Sequence, residues 1–166
     1  MSIEQLRKNL KEREGYRDRV YLDSLGNPTF GYGELVREDD EFDVGSLVPE
    51  EVIDQRFDRS SQSAWESAQE KAKSIGVDDD ELITGLASVD FQLGPNWNKE
   101  HTRTWDLLKS RQFGAAAREL ENSSWFNQTP DRVKDFQSVL NSLGGPWSSR
   151  LPLSKSPGKI ALEKSM

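Results

Sequence analysis

The chain has 166 residues, 29 of them acidic and 22 basic, for a net charge of −7, with one histidine and no cysteine. That length suits one domain, or two small lobes sharing a core, and needs no covalent staples. The composition excludes disulfides and thiolate metal sites and leaves only His101 for any imidazole chemistry, too little for a histidine metal site or a catalytic triad. The acidic balance disfavours a nucleic-acid partner, whose phosphates call for clustered Lys and Arg.

No apolar run approaches the roughly 20 residues of a membrane span. The opening Met1-Ser2-Ile3-Glu4-Gln5-Leu6-Arg7-Lys8 lacks the apolar core of a signal peptide. The expectation is a protein made in the cytoplasm, inserted in no membrane, that needs a separate route to act beyond it.

Ile3, Leu6 and Leu10 recur at helical spacing and predict a helix over residues 3–13. Gly15 ends it and leaves Glu14 at the helix C-terminus. From Tyr16 to Val36 the period shortens. Val20 and Leu22 flank Tyr21, Gly26-Asn27-Pro28 is turn chemistry, and Thr29-Phe30-Gly31-Tyr32-Gly33 reads as a second strand. Its glycines leave space for something to approach the backbone. The acidic run from Arg37 to Asp43 reads as a solvated loop.

A long helix begins at Pro49, with Glu50 and Glu51 in its first turn and a partial apolar stripe of Val52, Ile53, Phe57, Ala64, Trp65, Ala68 and Ala72. Asp78-Asp79-Asp80 caps the next helix, whose one side carries Leu82, Ile83, Leu86, Val89, Asp90 and Leu93 and which Gly94-Pro95 stops. Shorter helices are expected over about residues 103–111 and 113–121. Thr129-Pro130-Asp131 starts the last one, buried through Val133, Phe136, Val139, Leu140 and Leu143 and ended by Gly144-Gly145-Pro146. Residues 148–166, rich in Ser, Pro and Lys, read as a docked strap or a loose tail.

These elements predict an α+β fold. A small N-terminal lobe of helix plus short antiparallel sheet covers about residues 1–48, a connecting helix about 49–75, an all-helical lobe about 76–147, and a tail 148–166. A cleft between lobes is the default place for a ligand.

The chemistry-bearing residues are Glu14, Asp23 and Thr29. Two carboxyl groups bracketing a hairpin, with a hydroxyl close behind, suit a reaction that needs one acid, one base and a held water, and glycoside cleavage is such a reaction. Each residue also has a plain structural reading. Glu14 is a surface carboxylate at a helix end, Asp23 a turn former, and Thr29 a β-branched strand residue.

Their order and spacing, Glu-x8-Asp-x5-Thr followed by Gly31-x-Gly33, resembles the lysozymes of T-even bacteriophages, the muramidases of glycoside hydrolase family 24. Val89-Asp90-Phe91-Gln92-Leu93-Gly94 and Trp125-Phe126-Asn127-Gln128-Thr129-Pro130-Asp131-Arg132 are similar to two further segments of that family. The resemblance runs from about residue 3 to 147. It implies a lysozyme-like fold and cleavage of the β-1,4 bond between N-acetylmuramic acid and N-acetylglucosamine with inversion, and it calls for no cofactor or metal. Glu14 would be the general acid, Asp23 the carboxylate on the opposite face, and Thr29 the holder of the water. Inversion asks for a carboxyl separation of roughly 6.5–9.5 Å. Leu35, Phe91, Gln92, Thr104 and Glu119 would contact sugar, and Arg132 would orient the acid.

The resemblance also implies peptidoglycan as the substrate of a monomer acting in host lysis or from a virion, reaching the wall through a holin-like pore or with the particle. The competing class is a non-catalytic glycan-binding or virion module on the same scaffold. The intact trio argues against it, while the basic tail 148–166 leaves it a docking peptide. Two departures stand out. Glu34 occupies the place of a family histidine whose ion pair is expected to be replaced by one between Glu34 and Arg59. Glu119 stands where the family often has an amide.

Overall fold

A computed structural model describes residues 3–143, so the expected terminator Gly144-Gly145-Pro146, Trp147 and the tail 148–166 lie outside the described residues. The chain divides into two compact units, residues 3–63 and residues 64 onward. The order of elements is mostly helical, with one three-stranded antiparallel sheet near the N-terminus, the lysozyme-like α+β arrangement expected.

In the N-terminal unit, helix α1 spans Ile3–Glu14 and buries Leu6 and Leu10 completely. Gly15, at φ 72°, stops it, since a left-handed residue just past a helix costs glycine least. Strands β1 (Arg17–Leu22), β2 (Pro28–Gly31) and β3 (Glu34–Leu35) form a meander in the order β1-β2-β3. Tyr21 pairs with Thr29 and Thr29 with Leu35, while an irregularity between Arg17 and Tyr21 shifts the register of β1. Val20 and Phe30 point to the other face, where they join Val48 and Ile53 in the core.

The segment before the long helix does more than loop. Arg19 forms a bridge with Leu47, and Val20 N–H donates to Ser46 O at 3.0 Å while Val48 N–H donates to Asp18 O at 2.7 Å. Within the acidic run, Glu38, Asp39, Glu41 and Asp43 are exposed as a solvated loop requires. Asp40 and Phe42 are not. Asp40 forms an ion pair with Arg56 and accepts from Arg37 N–H, and Phe42 meets Phe30 edge-on at 5.8 Å between ring centres.

Helix α2 spans Glu50–Ser74 and carries the chain from the first unit into the second. Its beginning, with Ile53 and Phe57 buried, packs in the N-terminal unit. Arg7 Nε of α1 donates to Ser61 Oγ at 2.9 Å, and Lys11 lies over the rings of Tyr32 and Phe57. These contacts hold α1 against the sheet and the start of α2.

The second unit contains α3 (Asp80–Leu93), α4 (Trp97–Glu100), α5 (Thr102–Lys109), α6 (Phe113–Glu119), a 3-10 turn at Leu120–Asn122, α7 (Ser124–Gln128) and α8 (Pro130–Leu143). Asp79 caps α3 by accepting from Leu82 N–H at 2.9 Å, as the acidic triplet predicts. The apolar faces of α3, α5, α6 and α8 meet around Leu82, Leu86, Leu108, Ala116, Leu120, Phe136 and Leu140, all buried. Neither α4 nor α7 was expected, and each is too short to display a helical period.

One polar cluster sits inside this unit. Asp90, read from the sequence as part of an apolar side of α3, ion-pairs with Lys71 at 3.0 Å and accepts from Trp97 Nε1 at 2.6 Å. Lys71 also donates to Ser67 Oγ and Pro95 O, each at 2.8 Å. Burial pushes the Asp90 carboxyl above its ordinary range, opposed by the hydrogen bonds and charge from Ser67, Lys71 and Trp97.

Candidate active site

The N-terminal unit brings Glu14, Asp23 and Thr29 together with Tyr21 and Leu35. Across the sheet, Tyr21, Thr29 and Leu35 are direct cross-strand partners. Side chains alternate between faces along a strand, so the three lie in one row on the face opposite Val20 and Phe30. Asp23, two residues beyond Tyr21, continues that side of the chain past the end of β1.

Asp23 opens the turn between β1 and β2. Its Oδ1 accepts from Leu25 N–H at 2.9 Å and from Asn27 N–H at 2.8 Å. Its own N–H donates to Asn27 O at 2.9 Å. Hydrogen bonds to the charged form, led by that from the Asn27 backbone, hold this carboxyl below its ordinary range against the opposing effect of desolvation. The turn-forming reading of Asp23 is therefore correct, and it is the turn that keeps the group ionised.

Thr29 is 3% exposed, and its Oγ1 donates to Asn27 O at 2.9 Å. That bond uses the hydroxyl proton and leaves lone pairs on Oγ1 to accept from another donor. One peptide group region, at Asn27, thus fixes both residues: its N–H clamps Asp23 and its carbonyl orients Thr29.

Glu14 ends α1 and lies against the bend between β2 and β3. A Cβ on Gly33, whose φ is 79°, would stand 2.6 Å from Glu14 Oε1. The space seen in the glycine pattern is occupied by this carboxyl group, and Gly33 is the residue that lets it approach the backbone. The sequence marked the glycine without naming what it admits.

Tyr21 reports where the carboxylates lie. Its phenol is raised above the ordinary range first by burial, with Arg17 opposing and the negative charges of Glu14 and Asp23 adding to the rise. Arg17 stacks on the ring, its guanidinium carbon 4.4 Å from the ring centre.

Glu34, in place of the family histidine, takes a hydrogen bond from Ser60 Oγ at 2.7 Å. The expected pair with Arg59 is replaced by this neutral donor one residue on, because helix α2 turns Ser60 rather than Arg59 toward β3.

The remaining candidate residues belong to the second unit, apart from Leu35, which is 53% exposed on β3. Phe91 and Gln92 lie near the end of α3. Gln92 Oε1 accepts from Trp125 Nε1 at 3.0 Å and its Nε2 donates to Thr129 Oγ1 at 3.0 Å, so its amide is held at both ends. Thr104 is buried in α5 at 3% exposure, and Glu119 pairs with Arg103 at 2.9 Å. Arg132, in the first turn of α8, donates through Nη2 to Ser88 Oγ at 3.1 Å and to Ser88 O at 3.3 Å.

Comparison with known proteins identifies the family. The family model for phage lysozyme matches residues 11–137. A protein of Pseudomonas phage phiKMV named as a peptidoglycan hydrolase is 31% identical over 130 residues, covering 78% of this chain and 14% of that protein. The chain therefore spans only a small part of that relative. Two proteins of Dictyostelium discoideum, named "Probable T4-type lysozyme 2" and "Probable T4-type lysozyme 1", are 27% and 26% identical, each over 84% of this chain and 95% of the relative. With the family pattern spanning α1 to α8 on a helix-and-sheet scaffold of the expected kind, the chain belongs to the phage lysozyme family of enzymes.

Proposed function

We propose that this protein is a peptidoglycan hydrolase that cleaves the β-1,4 bond between N-acetylmuramic acid and N-acetylglucosamine with inversion. Glu14 is the general acid that protonates the leaving oxygen. Asp23 is the base that takes a proton from water, and Thr29 holds that water. The observation that carries this reading is the shared anchor at Asn27. It holds the Asp23 carboxyl below its ordinary range and uses the hydroxyl proton of Thr29, leaving the lone pairs on Oγ1 to accept. A water that donates one hydrogen to Asp23 and the other to Thr29 presents its own lone pair for attack. The second carboxyl group, packed on Gly33 and sensed by Tyr21 together with Asp23, supplies the partner acid.

Leu35 offers exposed apolar surface to a sugar ring. Phe91 and Gln92 contribute saccharide contacts from α3. Thr104 in α5 and Glu119, paired with Arg103, are the further proposed saccharide contacts, and Arg132 has the role of orienting the acid. The domain proposed is residues 1–147, with 148–166 a separate tail. The biological setting proposed is a bacteriophage's attack on its host wall, in lysis or from the virion, supported by the family and by the phage relative.

The test is turbidity clearing of purified peptidoglycan. Glu14→Gln and Asp23→Asn are each expected to lower kcat by at least about a hundredfold, the size of a lost acid or base contribution, with thermal unfolding unchanged in Glu14→Gln and slightly lowered in Asp23→Asn, whose carboxylate accepts two N–H bonds of its turn. Products should carry reducing ends of the inverted anomer. A Glu14→Gln protein that clears as fast as the parent would refute the assignment.

A further inference from the structure

The cross-strand row Tyr21–Thr29–Leu35 places Thr29 between two flanks. Leu35 is the apolar flank. Tyr21 is the other, and neither the trio nor the family pattern gives it a task. Its ring is partly buried, and among the described residues its hydroxyl has no hydrogen-bond partner. A phenol beside two carboxylates yet bonded to neither has its donor left for something else.

Arg17 explains how the ring is held. The guanidinium covers one face of Tyr21 at 4.4 Å, and among the described residues this stacking is its one side-chain interaction. Arg17 makes no ion pair with Glu14 or Asp23 within salt-bridge distance, although both charges reach Tyr21. Arg17 and Tyr21 lie four residues apart on β1, either side of its register irregularity, and their side chains meet on one side.

Resting on the proposed hydrolase reading, we propose that Tyr21 is a substrate-binding residue. Its hydroxyl donates to the N-acetylhexosamine ring lying over Thr29, and Arg17 fixes the ring by stacking. The sugar is then gripped from both ends of the row, by a polar contact at Tyr21 and an apolar one at Leu35. This orientation sets its anomeric carbon above the water held by Thr29 and Asp23.

The experiment pairs kinetics with binding. Peptidoglycan hydrolysis is measured for the parent, Tyr21→Phe and Arg17→Met. Binding of a soluble N-acetylglucosamine oligomer is followed by NMR chemical shifts in Glu14→Gln chains with and without Tyr21→Phe. Tyr21→Phe keeps the ring and the stacking and is expected to lower kcat/KM about tenfold and to weaken the oligomer about tenfold, with the unfolding midpoint unchanged. Arg17→Met should raise KM severalfold and leave kcat within twofold, because it loosens a binding contact rather than a reacting group. If the parent hydrolyses peptidoglycan but Tyr21→Phe matches it within twofold in both assays, the role of Tyr21 is overturned and the hydrolase reading stands. If nothing is hydrolysed but the oligomer binds and Tyr21→Phe weakens it, the hydrolase reading falls and the subsite stands. A chain that neither cleaves nor binds refutes both.

Discussion

Asn27 was given no role by the sequence beyond membership of a turn, yet its backbone joins Asp23 and Thr29, the two residues proposed to handle water. The pH dependence follows from its grip on Asp23. The folded carboxyl lies below its ordinary range, so the stabilisation is present above the unfolded pKa and is lost as pH falls through the lowered folded value. Activity that needs an ionised Asp23 should therefore persist into acid at which an ordinary aspartate is already protonated. A pH–rate profile of the parent checks this, with the acid limb of kcat/KM expected below the usual aspartate range. At this scale the order Glu14, Asp23, Thr29 was legible because the three lie within 16 consecutive residues, 14–29, from the end of α1 to the start of β2. The approach of Glu14 to Gly33 was half legible, since the glycine advertises a neighbour but not which one. Tyr21 was illegible, because its face depends on a register that an irregular strand resets.

Among the elements, α3 is the instructive case. Leu82, Ile83, Leu86 and Val89 mark its buried side, and Asp90 continues that side with a charge. A carboxylate on a buried face demands partners, and that demand is readable from the sequence. Lys71 on α2 and Trp97 on α4 are not, because nothing local links them to Asp90. Replacing Lys71 with Met removes the cation and leaves Asp90 buried without it, a change expected to cost about 3–5 kcal/mol in urea unfolding. Adding Asp90→Leu to Lys71→Met should recover much of that loss, since paired removal takes away the unsatisfied charge as well. The strongly periodic helices α1, α2, α3 and α8 were read nearly to their ends. The four-residue α4 and five-residue α7 were not, because they complete too few turns to show a period.

For the whole molecule, the net charge of −7 bears on how it would meet the proposed substrate, the bacterial wall. An acidic protein approaching an anionic wall is repelled over a Debye length, which shrinks from about 30 Å at 0.01 M salt to about 8 Å at 0.15 M. Clearing of intact wall fragments should thus speed up over that range, while cleavage of a short uncharged oligomer should not. A rate on wall fragments that falls with salt would mean that a local basic surface, not the net charge, governs the encounter. The change of hydrophobic period near residue 49 marks the start of α2, whereas the two compact units divide between residues 63 and 64, inside that helix, where no change of period shows. The return of residues 45–48 to β1 was not legible either, because the stretch is too short and polar to read as a strand. That return has a further consequence for how the protein behaves when concentrated. A small sheet normally offers two open rims to other chains, and joining rim to rim is a common start of aggregation. Here Leu47 and its neighbours occupy the rim of β1, and the opposite strand, Glu34–Leu35, is only two residues long and carries a charge. The hairpin that carries Asp23 and Thr29 therefore gives a second molecule almost no strand to copy.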